Sequence, residues 1–210
     1  MDNITSANAP QQSSPDAHTP ERTGAAATGT DFRRIILIGY MGAGKTTIGK
    51  ALARRLGLPF YDLDWYIETR RHKSVSQLFG EVGEDGFRQI ERNMLHEVAE
   101  FENVVISCGG GTPCFFDNMD YMNRQAQVVY LKATPQVLFS HLSMSRHERP
   151  LLKGKSRDEL LAFIGEQLQR RSAFYEQARY VLDVSVLDNV RTINSAIDHL
   201  LLLLEQEPQR

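Results

Sequence analysis

The chain has 210 residues, of which 41% are hydrophobic and 24% are charged, and its formal net charge is −2. This composition suits one globular domain with a sizeable core and argues against a nucleic-acid or membrane surface. The two cysteines, Cys108 and Cys114, are too few for a disulfide framework or a cysteine zinc site, so we expect reduced thiols and a cytoplasmic protein.

Residues 1–30 are rich in Ala, Ser, Thr, Pro, Gln and Gly, which predicts a disordered N-terminal tail. This segment lacks the apolar stretch of a secretory signal and the Arg-rich amphipathic pattern of an organellar transit peptide. Residues 31–210 are predicted to form the folded domain. The leucine run at 200–204 is far too short to span a membrane.

Short apolar segments alternate with helical patterns, which predicts an α/β domain with a parallel sheet covered on both faces. The predicted strands are Arg33–Ile38, Pro59–Tyr61, Val104–Ser107, Val128–Leu131 and Tyr180–Val184. The predicted helices include Thr47–Leu56, Trp65–Arg71, Gly83–Phe101 and a last helix, capped by Asn189, that ends near Glu205. Ser74 and Ser156 each begin a capping box, which predicts two further helix starts.

The segment Gly39–Thr46 matches the phosphate-binding loop pattern G-x-x-x-x-G-K-[S/T] at every fixed position. It lies between a predicted buried strand and a predicted helix, which is the context that this pattern requires. Glycines let successive backbone N–H groups approach phosphate oxygens, and the helix N-terminus adds a partial positive charge. We therefore expect Lys45 to reach the β- and γ-phosphates and the Thr46 hydroxyl to ligate Mg²⁺.

Asp62 and Asp64 follow the second predicted strand. Residues two apart in a strand point the same way, so both carboxylates are expected to face the crevice at the carboxyl end of the sheet. One carboxylate would serve the metal ion and the other a substrate hydroxyl. The alternative is that Asp64 only caps the helix beginning at Trp65.

Gly109-Gly110-Gly111 follows the third predicted strand. Three glycines allow a ligand to lie directly against the backbone, although a plain flexible turn is the alternative. Ser107, at the end of the same strand, is either a ligand for a metal-bound water or an ordinary surface hydroxyl.

The segment Ser143–Lys155 is polar, charged and interrupted by a proline and a glycine, which predicts a loop that acts as a lid over the site. Arg149 lies in this loop. Arg88 and Arg171 lie on predicted helices, where a solvated surface role is the default for an arginine. Glutamates at ion-pairing spacing on either side of Arg88 favour an intrahelical ion pair there.

Taken together, these residues resemble the shikimate kinase family from about Arg33 to the last predicted helix. The motifs that carry the resemblance stand in the family's order: Gly39–Thr46, Asp62–Asp64, Phe87–Glu91, Gly109–Gly111, Arg149–Leu152, and Arg171 four residues before Tyr175. The resemblance implies a three-layer P-loop kinase fold with a five-stranded parallel sheet, a substrate-binding insert at about 63–91 and a lid at about 143–155. It also implies transfer of the γ-phosphoryl group of ATP to the 3-hydroxyl of shikimate, in chorismate and aromatic amino-acid synthesis.

The resemblance further implies a role for each motif residue. The implied catalytic residues are Lys45, Asp64 and Arg149, of which Asp64 binds the shikimate hydroxyls and Arg149 closes over the phosphates. The implied ATP-binding residues are Gly42, Ala43, Gly44, Lys45, Thr46, Thr47 and Arg149. The implied shikimate-binding residues are Asp64, Arg88, Gly109, Gly110, Gly111 and Arg171, with the two guanidinium groups on the carboxylate. Thr46 and Asp62 are the implied Mg²⁺ ligands.

The expected partners are ATP and shikimate, without nucleic acid or membrane, and the expected oligomeric state is a monomer. The family often carries an arginine that stacks on adenine before the lid's Arg-Pro pair. Here that stretch is His141–Arg146, in which Arg146 is an imperfect replacement, and the turn Val184–Asn189 lacks the Arg and Pro often found in the family's adenine loop. The sequence therefore does not identify the residues that contact adenine.

Two other functions compete with this interpretation. A gluconate kinase of the same fold would keep the phosphate loop, but it would not need two arginines that converge on a carboxylate. A non-catalytic nucleotide-binding relative is disfavoured because Lys45 and Asp64 are both present. A GTPase is not expected because the chain has no Asn-Lys-x-Asp motif.

Overall fold

A five-stranded parallel sheet forms the centre of the computed structural model, which describes residues 34–144, 156–187 and 189–205. The strands are β1 (Arg34–Ile38), β2 (Phe60–Asp62), β3 (Val104–Ser107), β4 (Gln127–Lys132) and β5 (Tyr180–Asp183). Their order in the sheet is β2-β3-β1-β4-β5. The predicted α/β fold class is confirmed, and each predicted strand end lies within one residue of the observed one.

Helices connect the strands, as parallel pairing requires a crossover between each strand and the next. They are α1 (Lys45–Leu56), α2 (Leu63–Arg71), α3 (Val75–Val98), α4 (Asn118–Gln125), α5 (Pro135–Met144), α6 (Arg157–Tyr175) and α7 (Val190–Glu205). The capping boxes predicted at Ser74 and Ser156 are both present, at the starts of α3 and α6. The predicted tail (1–30) and lid residues 145–155, with Arg149, lie outside the described residues.

The interior of the sheet is apolar on both faces. Ile35, Ile36, Leu37 and Ile38 on the central strand β1 are all fully buried, and so are the apolar residues of β3. Continuous Val and Ile runs are typical of strands that are covered on both sides. Across the described part of the chain, no helix is both long enough and apolar enough to cross a bilayer.

The strand register brings the ends of three strands to one edge of the sheet. Asp62 at the end of β2 pairs with Ser107 at the end of β3, and Ser107 pairs with Leu37 on β1. Strand β1 has β3 on one side and β4 on the other, so the connections after β1 and β3 leave in different directions. A crevice at such a switch point is the usual ligand site in open α/β sheets.

Helix α3 has two halves that meet at Gly83, whose φ of 69° and ψ of −175° are not helical. The half after Gly83 corresponds to the predicted helix Gly83–Phe101 and buries Phe87, Leu95 and Val98 against the core. Helix α2 and the start of α3 cover the range 63–91. The assignment of this range as a substrate-binding insert stays a prediction.

The close packing of α1 on β2 gives a first testable prediction. A Cβ atom on Gly49 would overlap Cε2 of Phe60, whereas one on Gly165 in α6 would meet nothing within 4 Å. Gly49→Ala is therefore expected to lower the free energy of unfolding by about 1–3 kcal/mol through overpacking. Gly165→Ala, the matched control, should raise it by about 0.5–1 kcal/mol through helix propensity.

Urea unfolding followed by circular dichroism measures both changes. Equal stabilisation by the two substitutions would show that α1 does not pack on β2 as closely as described.

Candidate active site

A cavity of about 510 Å³ opens at the edge of the sheet where β1, β2 and β3 end. One side is formed by the phosphate loop and the start of α1, and the other by the ends of β2 and β3. The lining residues are 41–48, Asp62, Asp64, Ser107, Cys108, Gly109, Gly110, His141, Leu142, Met144, Leu187 and Ile193. The predicted site residues of the loop and the acidic pair thus share one cavity with Gly109 and Gly110, whereas Gly111, Arg88 and Arg171 are not among its lining residues.

The phosphate loop has the backbone form that its glycines permit. Gly42 and Gly44 adopt φ values of 85° and 83°, in the left-handed region that favours glycine. Helix α1 begins at Lys45, and Gly44 at its N-cap provides no side-chain hydrogen bond. The first amide groups of α1 therefore face the cavity without a side-chain cap, as in a site for an anion.

Lys45 lies folded along this loop. Its Nζ atom donates hydrogen bonds to the carbonyl oxygens of Gly39 at 2.8 Å and Tyr40 at 3.0 Å. The amide of Ala43 donates to the same Tyr40 oxygen at 3.1 Å. The ammonium group thus sits beside the loop amides, where it adds to the positive potential for a phosphate group.

Asp62, and not Asp64, caps the helix that follows β2. Its Oδ1 atom accepts from the Trp65 amide, and its Oδ2 atom accepts from the Thr46 hydroxyl at 2.9 Å. The helix begins at Leu63, so the cap alternative for Asp64 is wrong. The two carboxylates were expected to point the same way because both would lie on one strand. That reason is wrong, because the strand ends at Asp62 and Asp64 already lies in the first helical turn. Both carboxylates nevertheless line the cavity.

The carboxyl group of Asp64 is exposed to the cavity but closely surrounded by protein atoms and other acids. Burial is the largest cause that raises its pKa from 3.8 to about 6, followed by the charges of Asp62 and Glu91. The Lys45 ammonium acts in the opposite direction and lowers this pKa. A carboxylate with a pKa nearer neutrality is a better proton acceptor than an ordinary aspartate.

The glycine segment Gly109–Gly111 is the place where the other predicted site residues meet. A Cβ atom on Gly109 would lie 3.0 Å from Oδ1 of Asp64, and one on Gly111 would lie 2.7 Å from Nη2 of Arg88. A Cβ atom on Gly110 would lie 3.6 Å from Nη1 of Arg171. Asp64, Arg171 and Arg88 therefore each approach a different glycine of this segment, and their expected convergence on a substrate stays a prediction.

Hydrogen bonds hold all three carbonyl groups of this segment. The Gly109 and Gly111 oxygens accept from the amides of Thr112 and Cys114, at 3.1 Å and 2.9 Å. The Gly110 oxygen accepts from the Tyr175 hydroxyl at 2.5 Å. The alternative of a plain flexible turn is not supported by these contacts.

Arg88 makes the expected ion pair and also packs against an aromatic ring. Its Nη1 and Nη2 atoms contact Glu91 at 2.8 Å and Glu84 at 3.3 Å. The guanidinium plane also lies over the Phe115 ring, 4.1 Å from its centre, and the side chain is only 12% exposed. Its buried Nε atom has no hydrogen-bond partner within the described residues. The ion pair thus orients a largely buried arginine toward Gly111.

Glu91 is the functional candidate that sequence reasoning did not assign. It is buried, and its two oxygens accept hydrogen bonds from Arg88 Nη1 at 2.8 Å and the Thr112 hydroxyl at 2.7 Å. It therefore ties the arginine to the end of the glycine segment. In the sequence, Glu91 is recognisable only as an acid three residues after an arginine, and this spacing on an exposed helix indicates no more than a surface ion pair.

Arg171 approaches the glycine segment from α6. Its Nη2 atom donates to Gln167 at 3.2 Å, and its guanidinium lies 5.4 Å from the centre of the Tyr40 ring. Tyr175, one turn later, bonds the Gly110 carbonyl and stacks on Tyr130. Helix α6 is thereby fixed against both the glycine segment and the first turn of the phosphate loop.

Within the described residues, no hydrogen bond joins the two thiols or the Ser107 hydroxyl to this network, and the Cys108 thiol instead contacts the Met122 sulfur. Cys108 and Cys114 are both free, and burial raises the pKa of each thiol. Ser107 is buried at the end of β3 and lines the cavity. Its expected role in holding a metal-bound water stays a prediction.

Comparison with known proteins gives a consistent result. A family model described as shikimate kinase matches residues 41–201. A shikimate kinase from Bacteroides thetaiotaomicron is 58% identical over 172 residues, which cover 82% of this chain and 98% of that protein.

Two solved structures show the same fold. The crystal structure of shikimate kinase from Bacteroides thetaiotaomicron has a TM-score of 0.80 and 57% identity, with 82% of this chain and 98% of that chain covered. A shikimate kinase from Acinetobacter baumannii in complex with shikimate has a TM-score of 0.72 and 30% identity, with 85% and 96% covered.

The raised pKa of Asp64 gives the second prediction. Because the folded pKa of about 6 exceeds 3.8, the stability that the protonated carboxyl contributes is present below pH 4 and is lost as pH rises through 6. Asp64→Asn carries no charge, so its stability relative to the parent protein should increase over this range. The increase should be about 1 kcal/mol, since solvent in the open cavity screens the charge.

Thermal unfolding in EDTA, without nucleotide, from pH 4 to pH 7.5 provides the measurement. Asp85→Asn removes an exposed carboxylate and serves as the control. A stability difference between Asp64→Asn and the parent that is constant across this range would contradict the described environment.

Proposed function

Because the chain belongs to the shikimate kinase family, we propose that its cavity holds ATP on the phosphate loop and shikimate against the glycine segment. The enzyme transfers the γ-phosphoryl group of ATP to the 3-hydroxyl of shikimate and yields shikimate 3-phosphate and ADP. The cavity accordingly divides into a donor site at the phosphate loop and an acceptor site at the glycine segment.

One observation carries the assignment of the acceptor site. The glycine segment gathers Asp64, Arg88 and Arg171, and it also touches the phosphate loop, since a Cβ atom on Gly110 would lie 3.3 Å from the Met41 amide nitrogen. An acceptor bound there lies directly beside bound phosphates. Two guanidinium groups suit a planar carboxylate, and an aspartate suits ring hydroxyls, so the set matches a hydroxylated carboxylic acid.

The phosphate loop supplies the donor site. The amides at the start of α1, from Gly44 to Thr47, have no side-chain cap from Gly44 and would bind the β- and γ-phosphates of ATP, with Gly42 and Ala43 shaping the turn. The Lys45 ammonium would break its hydrogen bonds to the Gly39 and Tyr40 carbonyl oxygens, or keep one of them, when it contacts the transferring phosphoryl group. Its charge then offsets the negative charge that is redistributed in the transition state.

The oxygen atoms near Thr46 fit a Mg²⁺ ion. The Thr46 hydroxyl and the Asp62 carboxylate lie 2.9 Å apart at the edge of the cavity, and both are hard oxygen donors. Within the described residues no group of three or more acidic, His or Cys side chains forms a metal cage, which suits an ion bound largely through nucleotide phosphates. When bound, Mg²⁺ would neutralise phosphate charge.

Asp64 is the proposed acceptor of the 3-hydroxyl proton. It lies in the same cavity as the phosphate loop, and its raised pKa favours proton transfer near neutral pH. Glu91 is the proposed support of the acceptor site, since it orients Arg88. Arg149 is proposed, from the family resemblance alone, to close over the phosphates.

The nucleotide base is proposed to lie against apolar residues of the cavity. Met144, Leu187 and Ile193 are among the lining residues. These side chains suit a flat aromatic base. A monomer and a cytoplasmic location, the latter from the two free thiols, complete the proposal.

A coupled assay of ADP release tests the whole assignment. Shikimate, gluconate and nucleoside monophosphates are offered as acceptors at the same ATP concentration. Turnover with shikimate alone supports the proposal. A higher kcat/KM with gluconate would contradict it, because gluconate lacks the ring that the glycine segment is proposed to hold.

The third prediction concerns Lys45. Lys45→Met should lower kcat by about 10²-fold or more while the protein stays folded, because a charge that acts in the transition state is lost. Lys50→Met changes an exposed lysine on the same helix and should leave kcat unaltered. Steady-state kinetics with circular dichroism checks both variants, and near-normal turnover by Lys45→Met would refute the assigned role.

The fourth prediction concerns Arg171. Arg171→Lys keeps the charge but loses the planar fork, so the KM for shikimate should rise about tenfold while the KM for ATP changes less than about twofold. Arg170→Lys alters the neighbouring exposed arginine, which pairs with Glu166, and is the matched control. A similar loss of ATP affinity in Arg171→Lys would instead place Arg171 at the nucleotide.

A further inference from the structure

Helix α5 is seated directly on the phosphate loop at Gly42. The Nδ1 atom of His141 lies 2.8 Å from the Gly42 carbonyl oxygen. A Cβ atom on Gly42 would lie 3.1 Å from Cγ of Leu142 and 3.4 Å from the Leu138 carbonyl oxygen. These contacts join the helix that follows β4 in the chain to the turn of the loop.

The bond to His141 differs from the other hydrogen bonds of this loop. The Gly39 and Tyr40 oxygens accept from Lys45, and the Gly44 oxygen accepts from the Ile48 amide. Those donors belong to the loop itself or to α1. The Gly42 oxygen is different, because its partner among the described residues is the side chain of His141, which lies on α5.

This contact fixes one peptide plane at both ends. The plane between Gly42 and Ala43 has its carbonyl oxygen on His141 and its N–H on the Tyr40 oxygen, at 3.1 Å. A peptide unit is planar, so holding both ends sets its rotation. The directions of the next amides, on Gly44 and Lys45, depend on that rotation.

We infer that His141 is a positioning residue for the nucleotide, which acts by holding the Gly42 carbonyl. A carbonyl oxygen only accepts, so Nδ1 carries the hydrogen in this contact. The imidazole thereby orients the turn that precedes the phosphate-binding amides. Loss of the contact leaves a part-buried carbonyl without its donor and allows the plane to rotate.

The inference rests on the proposed nucleotide site but not on the identity of the phosphoryl acceptor. Three substitutions separate the two ring nitrogens. His141→Asn places an amide donor near the Nδ1 position, His141→Gln places it near the Nε2 position, and His141→Ala removes both. Ser140→Ala changes the exposed neighbour on α5 and is the matched control.

Calorimetric titration with ADP and Mg²⁺ is the primary measurement, and it does not require turnover. His141→Ala and His141→Gln should raise the Kd for ADP about five- to tenfold, the loss expected for one hydrogen bond. His141→Asn should stay within about twofold of the parent protein, as should Ser140→Ala. In the kinase assay the KM for ATP should rise in parallel, with the KM for shikimate unaltered.

Three outcomes would overturn the inference. A lowered melting temperature with an unaltered Kd for ADP would show that the contact only joins α5 to the loop. Rescue by Gln and not by Asn would show that the ring acts through Nε2 on the ligand. Equal weakening by Asn and Ala would show that the Nδ1 donor is not what matters. If His141→Ala fails to fold, His141→Gln, which retains bulk, makes the same comparison with Asn.

Discussion

The close approach of charged side chains to the backbone at Gly109–Gly111 is the constraint that shapes the whole site. A methyl group at Gly111 would lie 2.7 Å from the Arg88 guanidinium, and one at Gly109 would lie 3.0 Å from Asp64. The segment must therefore be free of side chains on its cavity side. Because the glycines carry no side chains, residues from α2, α3 and α6 can all approach this segment, next to the phosphate loop, where one small ligand could reach them.

The acidic and basic side chains around the glycine segment balance one another's charge. Asp62, Asp64 and Glu91 concentrate negative charge at the sheet edge, and their mutual repulsion contributes to the raised pKa of Asp64. Lys45 and Arg88 face them from the phosphate loop and α3. Buried ionic groups need specific partners. Glu91 meets this need by bonding Arg88 on one oxygen and Thr112 on the other, so the positive charge near Gly111 has a defined direction.

Much of this architecture could be predicted from the sequence, because the strands β1, β3 and β4 are continuous apolar runs and the phosphate loop is a fixed pattern. The contacts of Arg88 could not, since spacing along a helix does not reveal whether an arginine is buried under an aromatic ring such as Phe115. The same holds for the cap: Asp62 and Asp64 both had suitable side chains, and only the backbone shows that the helix starts at Leu63. The burial of Arg88 and the exact start of this helix depend on packing between residues that are far apart in the sequence.

The internal hydrogen bonds of the phosphate loop have a consequence for binding thermodynamics. Lys45, His141 and the Ala43 amide donate to the carbonyl groups of Gly39, Tyr40 and Gly42 through contacts that lie entirely within the protein. The loop is therefore preorganised, and nucleotide association does not have to order it. Little backbone entropy of this loop is therefore lost when phosphate groups exchange their hydration for contacts with its amides.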